Sequence, residues 1–168
     1  MSIALTMVAI LFAPAPASAT IVPGKHRCVA TGAVSGYRGV QCADLDVDGG
    51  FVSARGQSLC QRVSDEATVQ CAGIRMHMQV HDVTDNYWSS VRTVECGRFT
   101  TPWHDPACPS SGRFEALGGL AALRCGHTYA AYVWAEFVLP VSAASVSGSS
   151  SHRSDFYTYN PSGCLAAE

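Results

Sequence analysis

The stretch Val69-Gln70-Cys71-Ala72-Gly73-Ile74-Arg75-Met76-His77-Met78-Gln79-Val80-His81 sets the class of fold. From Ile74 onward the apolar Ile74, Met76, Met78 and Val80 alternate with the polar Arg75, His77, Gln79 and His81. Successive side chains of a strand point to opposite faces, so this period predicts a strand with one face on a core and the other toward water. Residues 127–139 are apolar on both parities, with Tyr129, Val133, Phe137 and Leu139 against Tyr132, Trp134 and Val138. Their β-branched and aromatic content, bounded by Gly126 and Pro140, predicts a long central strand. Shorter strands are predicted at 39–45, 51–54, 58–63, 91–96 and 156–159. Asp46-Val47-Asp48-Gly49-Gly50 and the glycine-rich residues 32–39 read as hairpin connections. Residues 114–123 have room for two helical turns, which Gly118-Gly119 weakens, and the serine-rich residues 142–151 read as a flexible surface loop within the domain. Together these features predict an all-β fold, an antiparallel β-sandwich-like domain.

Residues 3–12 form an uncharged run of apolar or small residues ten long, followed by Ala13-Pro14-Ala15-Pro16 and Ala17-Ser18-Ala19. That is the length of a signal-peptide core, about half of a membrane span, with a helix break and a small-residue cleavage site behind it. Residues 1–19 are therefore expected to be a signal peptide, with residues 20–168 as the secreted domain. No lipid-anchor cysteine, sortase motif or hydrophobic tail follows, so release into the medium or the cell-wall space is expected.

All eight cysteines, Cys28, Cys42, Cys60, Cys71, Cys96, Cys108, Cys125 and Cys164, follow that site. An even set in an exported chain reads as a disulfide framework. Cys60 and Cys71 flank ten residues centred between Asp65 and Glu66, so a hairpin turning there sets them directly opposite each other. The same economy pairs Cys28 with Cys42 and Cys96 with Cys108, which leaves Cys125 with Cys164. Each short loop is worth about 3 kcal/mol on the chain-entropy account. No C-x-x-C and no Cys–His pair at ligand spacing points to zinc.

The composition, with 48% hydrophobic and 14% charged residues, supports a packed core, and a net charge of -2 with no basic run argues against nucleic acid. His77 and His81 lie on one strand face but about 13 Å apart, too far to share an ion, so they read as solvated strand histidines. Asp44, Asp46, Asp48 and Gly49 resemble the opening of an EF-hand calcium loop, but position 55 is Arg where the distal Glu belongs. Trp103, His104 and Asp105 fall within the Cys96–Cys108 loop. A His beside an Asp, with Ser110 or Ser111 nearby, permits a hydrolase reading, although no G-x-S-x-G elbow exposes a hydroxyl. The same bracketed loop, held in one conformation, would suit insertion into a protease cleft. Tyr132 and Trp134 share a strand face with Thr128 and Glu136. Open, that face could stack on sugar rings or anchor a protein, but a second sheet is expected to cover it and make the two aromatics core.

Lys25 is the only lysine and Asn86 and Asn160 the only asparagines, a bias toward GC-rich codons that suggests a bacterial source. With Gly39-Val40-Gln41-Cys42-Ala43-Asp44 early and Arg124-Cys125-Gly126-His127-Thr128-Tyr129 before the aromatic strand, the chain resembles small secreted cysteine-rich actinobacterial proteins of unassigned function. That resemblance implies no activity and no site residues. No catalytic or cofactor motif stands out. The leading expectation is a secreted, non-catalytic binding or interaction module for an extracellular protein or polysaccharide. It would need no cofactor, with no nucleic-acid partner and no membrane association after signal cleavage. Trp103, His104, Tyr132 and Trp134 are the interaction candidates. The alternatives are an inhibitor of a secreted protease or other hydrolase acting through residues 96–108, and a small hydrolase using His104 and Asp105. Mass spectrometry of the secreted protein is expected to show Thr20 as the first residue and no free thiol.

Overall fold

The computed structural model describes residues 20–22, 26–99, 107–140, 145–162 and 164. Strands and connections account for all of them, and no helix occurs among the described residues. In the first sheet β1 (Thr20–Ile21) and β2 (Arg27–Ala30) lie end to end along β3 (Tyr37–Asp48). β3 pairs over its whole length with β4 (Phe51–Arg62), whose far side carries β5 (Thr68–Val69) and β9 (Arg113–Ala122). The second sheet is centred on β6 (Gly73–Asp82) and β10 (Thr128–Val138). β7 (Tyr87–Trp88) and β8 (Arg92–Gly97) flank β6, while β11 (Ser145–Ser147) and β12 (Tyr157–Thr158) flank β10. Every strand pairing is antiparallel, and the two sheets pack face to face as a sandwich.

The β3–β4 hairpin turns at Gly49-Gly50 with φ of 54° and 84°. Both central residues of such a two-residue turn need the left-handed region, which glycine enters without a Cβ penalty. Between the sheets, small residues on one side meet large ones on the other. A Cβ at Gly39 would stand 2.3 Å from the Phe137 ring, and one at Gly56 would stand 2.6 Å from Met76 Sδ. Leu45, Val52, Ile74, Met78, Val80, Tyr129 and Val133 complete this interior.

Gln41 is a polar member of the interior and is fully buried. Its Nε2 donates to Val133 O at 3.2 Å and Ser149 O at 2.9 Å, and its Oε1 accepts from Ala135 N at 2.9 Å. The carboxamide thus crosses from the first sheet to satisfy β10 backbone groups that would otherwise be buried without partners. Tyr129 adds a second tie. Its hydroxyl donates to Ala122 O at 2.9 Å and accepts from Arg124 N at 2.8 Å, joining the start of β10 to the chain just before it, as in the tyrosine corner of other sandwiches.

All four expected disulfides form: Cys28–Cys42, Cys60–Cys71, Cys96–Cys108 and Cys125–Cys164. Cys60–Cys71 forms without the direct opposition its spacing suggested. Cys60 stands opposite Val69 and Gln61 opposite Thr68, so the turn centres one residue earlier. Arg62 holds that turn through paired bonds to Asp65, and Gln61 Nε2 donates to Glu66 O. Cys71 lies beyond β5, where Ala72 N already bonds Val138 O of the second sheet, so the bridge spans the passage from one sheet to the other.

Three local expectations are corrected. In place of the helical turns weighed for 114–123, residues 114–122 belong to β9, because β4 offers a full ladder to pair with and Gly119, at φ 61°, takes up the bulge opposite Ser53 and Ala54. The separate strands at 51–54 and 58–63 are one, β4, whose polar middle (Arg55, Gln57) faces out while Gly56 faces Met76. Within the serine-rich residues, β11 pairs with β10, and Gly148 N donates to Ala135 O at 2.7 Å. Gln41→Ala is expected to lower unfolding free energy by about 3 kcal/mol, since two buried backbone groups of β10 and the partly buried Ser149 carbonyl lose their partner. Chemical denaturation measures this against Ser151→Ala, an exposed change expected to stay within about 0.5 kcal/mol.

Candidate functional site

The β6–β10 register sets the outer face of the second sheet. Trp134 stands opposite His77, Tyr132 opposite Gln79, and Glu136 opposite Arg75. β8 extends the rows, with Glu95 beside Arg75 and Thr93 beside His77, and β7 places Trp88 beside His81. At one end Arg75 Nε donates to Glu95 Oε1 at 2.6 Å, with Glu136 at 3.7 Å and the Phe99 ring beneath its guanidinium. The hydrogen bond to Glu95, reinforced by both carboxylates, raises the Arg75 pKa and fixes its charge. In the middle, His77 stacks on Trp134 at 5.1 Å, and its Nδ1 pairs with Thr93 Oγ1 at 2.9 Å.

The other end is aromatic. Trp88 stacks on His81 at 3.9 Å with planes 6° apart and meets Tyr132 edge-on at 4.8 Å. With His81 and Tyr132 themselves 6.1 Å apart, the three centroids form nearly a right angle at Trp88. His81 therefore covers one face of the indole and Tyr132 borders its rim, so neither ring covers the second face. Trp88 is 42% exposed, on an edge strand. Beyond Tyr132 the row continues to Arg153, bridged to it through the backbone, whose guanidinium lies 4.0 Å over the 45% exposed Phe156.

Tyr132 and Trp134 are thus half-buried by neighbours on an outer face and lie outside the core, where a second sheet was expected to cover them. The physical reason is pairing: a sandwich has two layers, the polar parity of β6 faces out, and residues paired with it must face out too. Tyr129, Val133 and Phe137 take the inner parity. His77 and His81 lie on the strand face expected of them, but each is engaged in a stack. Trp88 escaped sequence reasoning because nothing local marks which strand its two-residue element will join. Its sole sequence signal is the turn at Asp82–Asn86 that brings it back beside His81. Trp103, His104 and Asp105 lie outside the described residues.

One acidic cluster, around Asp82, is already engaged. Asp82 accepts from Thr84 N, Asp85 N and the His127 ring, and Asp85 pairs with Arg124. Asp44, Asp46 and Asp48 lie on the outer face of β3, where an extended chain spaces them about 7 Å apart rather than converging them as a calcium loop does. A groove of about 740 Å³ runs between the bulge of β9 and residues 90–93, lined by Phe51, Val91, Leu117 and Leu120. Another, of about 700 Å³, is lined by His26, Arg27, His152 and Arg153.

No protein-family model, curated protein or solved structure matches the chain. The site is therefore read from its own chemistry.

His152 carries the clearest titration. Burial, with the neighbouring Arg27 and His26 charges, holds its pKa below the ordinary 6.5, against the bond from its Nε2 to Arg27 O. The unfolded chain takes up this proton first, so the contribution is fully present above pH 6.5 and is lost as pH falls through the lower folded value. The urea midpoint is expected to fall on acidification below that point, and His152→Gln is expected to flatten the decline.

Proposed function

We propose that the chain is secreted and that its mature domain is a non-catalytic extracellular binding module for polysaccharide. The contact surface is the outer face of the second sheet, centred on Trp88 and Tyr132. The observation that carries this reading is the open face of the Trp88 indole. An indole backed by an imidazole and bordered by a phenol is rigid and gives up little conformational entropy on binding. The apolar face of a sugar ring can stack on such a surface, with the polar Asn86, bonded to His81, and Gln79, opposite Tyr132, beside it. Four disulfides in one small domain suit an oxidising, extracellular-type environment.

The test is retention of the secreted protein on insoluble cellulose, chitin and peptidoglycan. At least one is expected to hold it, with Trp88→Ala weakening binding about tenfold, the scale of ~1.5 kcal/mol of stacking. Glu115→Gln, on the other sheet, should leave binding unchanged. Failure of all three polymers to retain the protein would sink the reading, as would full retention by a folded Trp88→Ala variant.

A further inference from the structure

We propose that Cys28–Cys42 is a thiol–disulfide exchange site, with Cys28 as the reacting sulfur, His26 as proton carrier and Asp44 as the residue positioning it. Cys28 and Cys42 face each other directly across β2 and β3. Cys42 is buried, but Cys28 lies on an edge strand whose four residues are all exposed. His26 stands between this sulfur and a carboxylate: Nδ1 is 2.7 Å from Asp44 Oδ2, and Nε2 is 3.0 Å from Cys28 Sγ. An ionised carboxylate only accepts, so Nδ1 carries the hydrogen and the Nε2 lone pair of the neutral ring faces the sulfur. Asp44 Oδ1 is buried without a hydrogen-bond partner among the described residues, so other donors do not dilute the charge facing the imidazole. This is the arrangement that activates a thiol: an orienting acid bonded to a base whose other ring nitrogen lies 3.0 Å from the sulfur.

Two grooves meet at Cys28. One, of about 700 Å³, runs past Arg27 and His152, and the other, of about 630 Å³, runs past Arg38 and Gln57. Substrate can therefore approach the sulfur from either side. The substrate class is an exposed dithiol, small or on a polypeptide. His26 Nε2 takes the proton of the first substrate thiol, and the resulting thiolate attacks Cys28 Sγ. The Cys28–Cys42 bond breaks and its electron pair goes to Cys42 Sγ, which receives the proton from the imidazolium, since the His26 ring nitrogen and both sulfurs lie within 4.8 Å of one another. The second substrate thiol then gives its proton to Nε2, and its thiolate attacks the substrate sulfur of the mixed disulfide. Cys28 leaves as a thiolate paired with the His26 imidazolium. Two electrons and two protons pass from the substrate, which becomes a disulfide, to the protein, which becomes a dithiol.

The other disulfides supply internal controls. Cys60–Cys71 and Cys96–Cys108 are buried, whereas Cys125 is exposed like Cys28. The experiment treats the secreted, oxidised protein with limiting dithiothreitol, quenches with an alkylating reagent and quantifies each cysteine by mass spectrometry. Cys28 and Cys42 are expected to open at least tenfold faster than Cys125 and Cys164. His26→Gln should remove about tenfold of that rate and flatten its rise with pH. Asp44→Asn should slow it less and move the profile, with Cys125–Cys164 unaffected in both variants. Equal opening of the two exposed disulfides would overturn the proposal. So would a Cys28–Cys42 rate and pH profile unchanged in His26→Gln, an exposed substitution whose folding a thermal melt verifies.

Discussion

The register of β6 on β10 is the constraint on which the rest of this structure depends. Ten consecutive residue pairs place Ile74 opposite Phe137 and His77 opposite Trp134. A slip by one residue would turn Met76, Met78 and Val80 to water and bury Arg75, His77 and His81. Because the inner parity of this pair is bulky, the facing strands β3 and β4 must be small where they meet it. Gly39, Ala43, Ala54, Gly56 and Ser58 occupy those positions. The complementarity is one of volume, and close packing makes it intolerant of a single added methyl at Gly39 or Gly56.

Gln41 belongs to the same logic. A sandwich is held mainly by apolar burial, which is indifferent to direction, so a directional contact is needed to choose one alignment of the two sheets. The carboxamide provides it by bonding the backbone at Val133, Ala135 and Ser149, and Gly148 leaves the space it fills. Two of the disulfides, Cys60–Cys71 and Cys96–Cys108, are part of this core, and each of the other two has one exposed cysteine, Cys28 or Cys125. Cys60–Cys71 and Cys96–Cys108 secure two of the three passages between sheets, β5 to β6 and β8 to β9. Cys125–Cys164 ties down the end of the chain, and Cys28–Cys42 pins an exposed edge strand.

The two sites with chemistry to offer sit on different sheets and have one origin. Each arises where an edge element delivers a side chain to a face already organised by longer strands. β7 brings Trp88 over His81, and the segment before β2 brings His26 between Asp44 and Cys28. Edge strands have fewer packing obligations, so their side chains are the ones left open to a ligand or a reactant. The pair of buried Asp82 and half-buried His127 shows the contrast. There the carboxylate is spent on the turn that follows β6 and on the imidazole, which leaves it nothing to offer a ligand.

Local rules carried a large part of this fold. Period two in residues 74–81, the Gly49-Gly50 turn and cysteine spacing pointed to an antiparallel β fold and to the short-range disulfides, with Cys125–Cys164 left by elimination, because strand pleat, turn conformation and short loop closure are set by near neighbours in the chain. They failed where a neighbour in space outweighed those in sequence: β9 is a strand because β4 is beside it, and β4 is continuous because Met76 fills the place beside Gly56. The open setting of Tyr132 and Trp134 and the stack of Trp88 on His81 also needed lateral pairing. So did the contact of His26 with both Asp44 and Cys28. Each depends on which strand lies beside which and in what register. That choice is made by the packing of two whole faces, a property no single segment of this chain possesses.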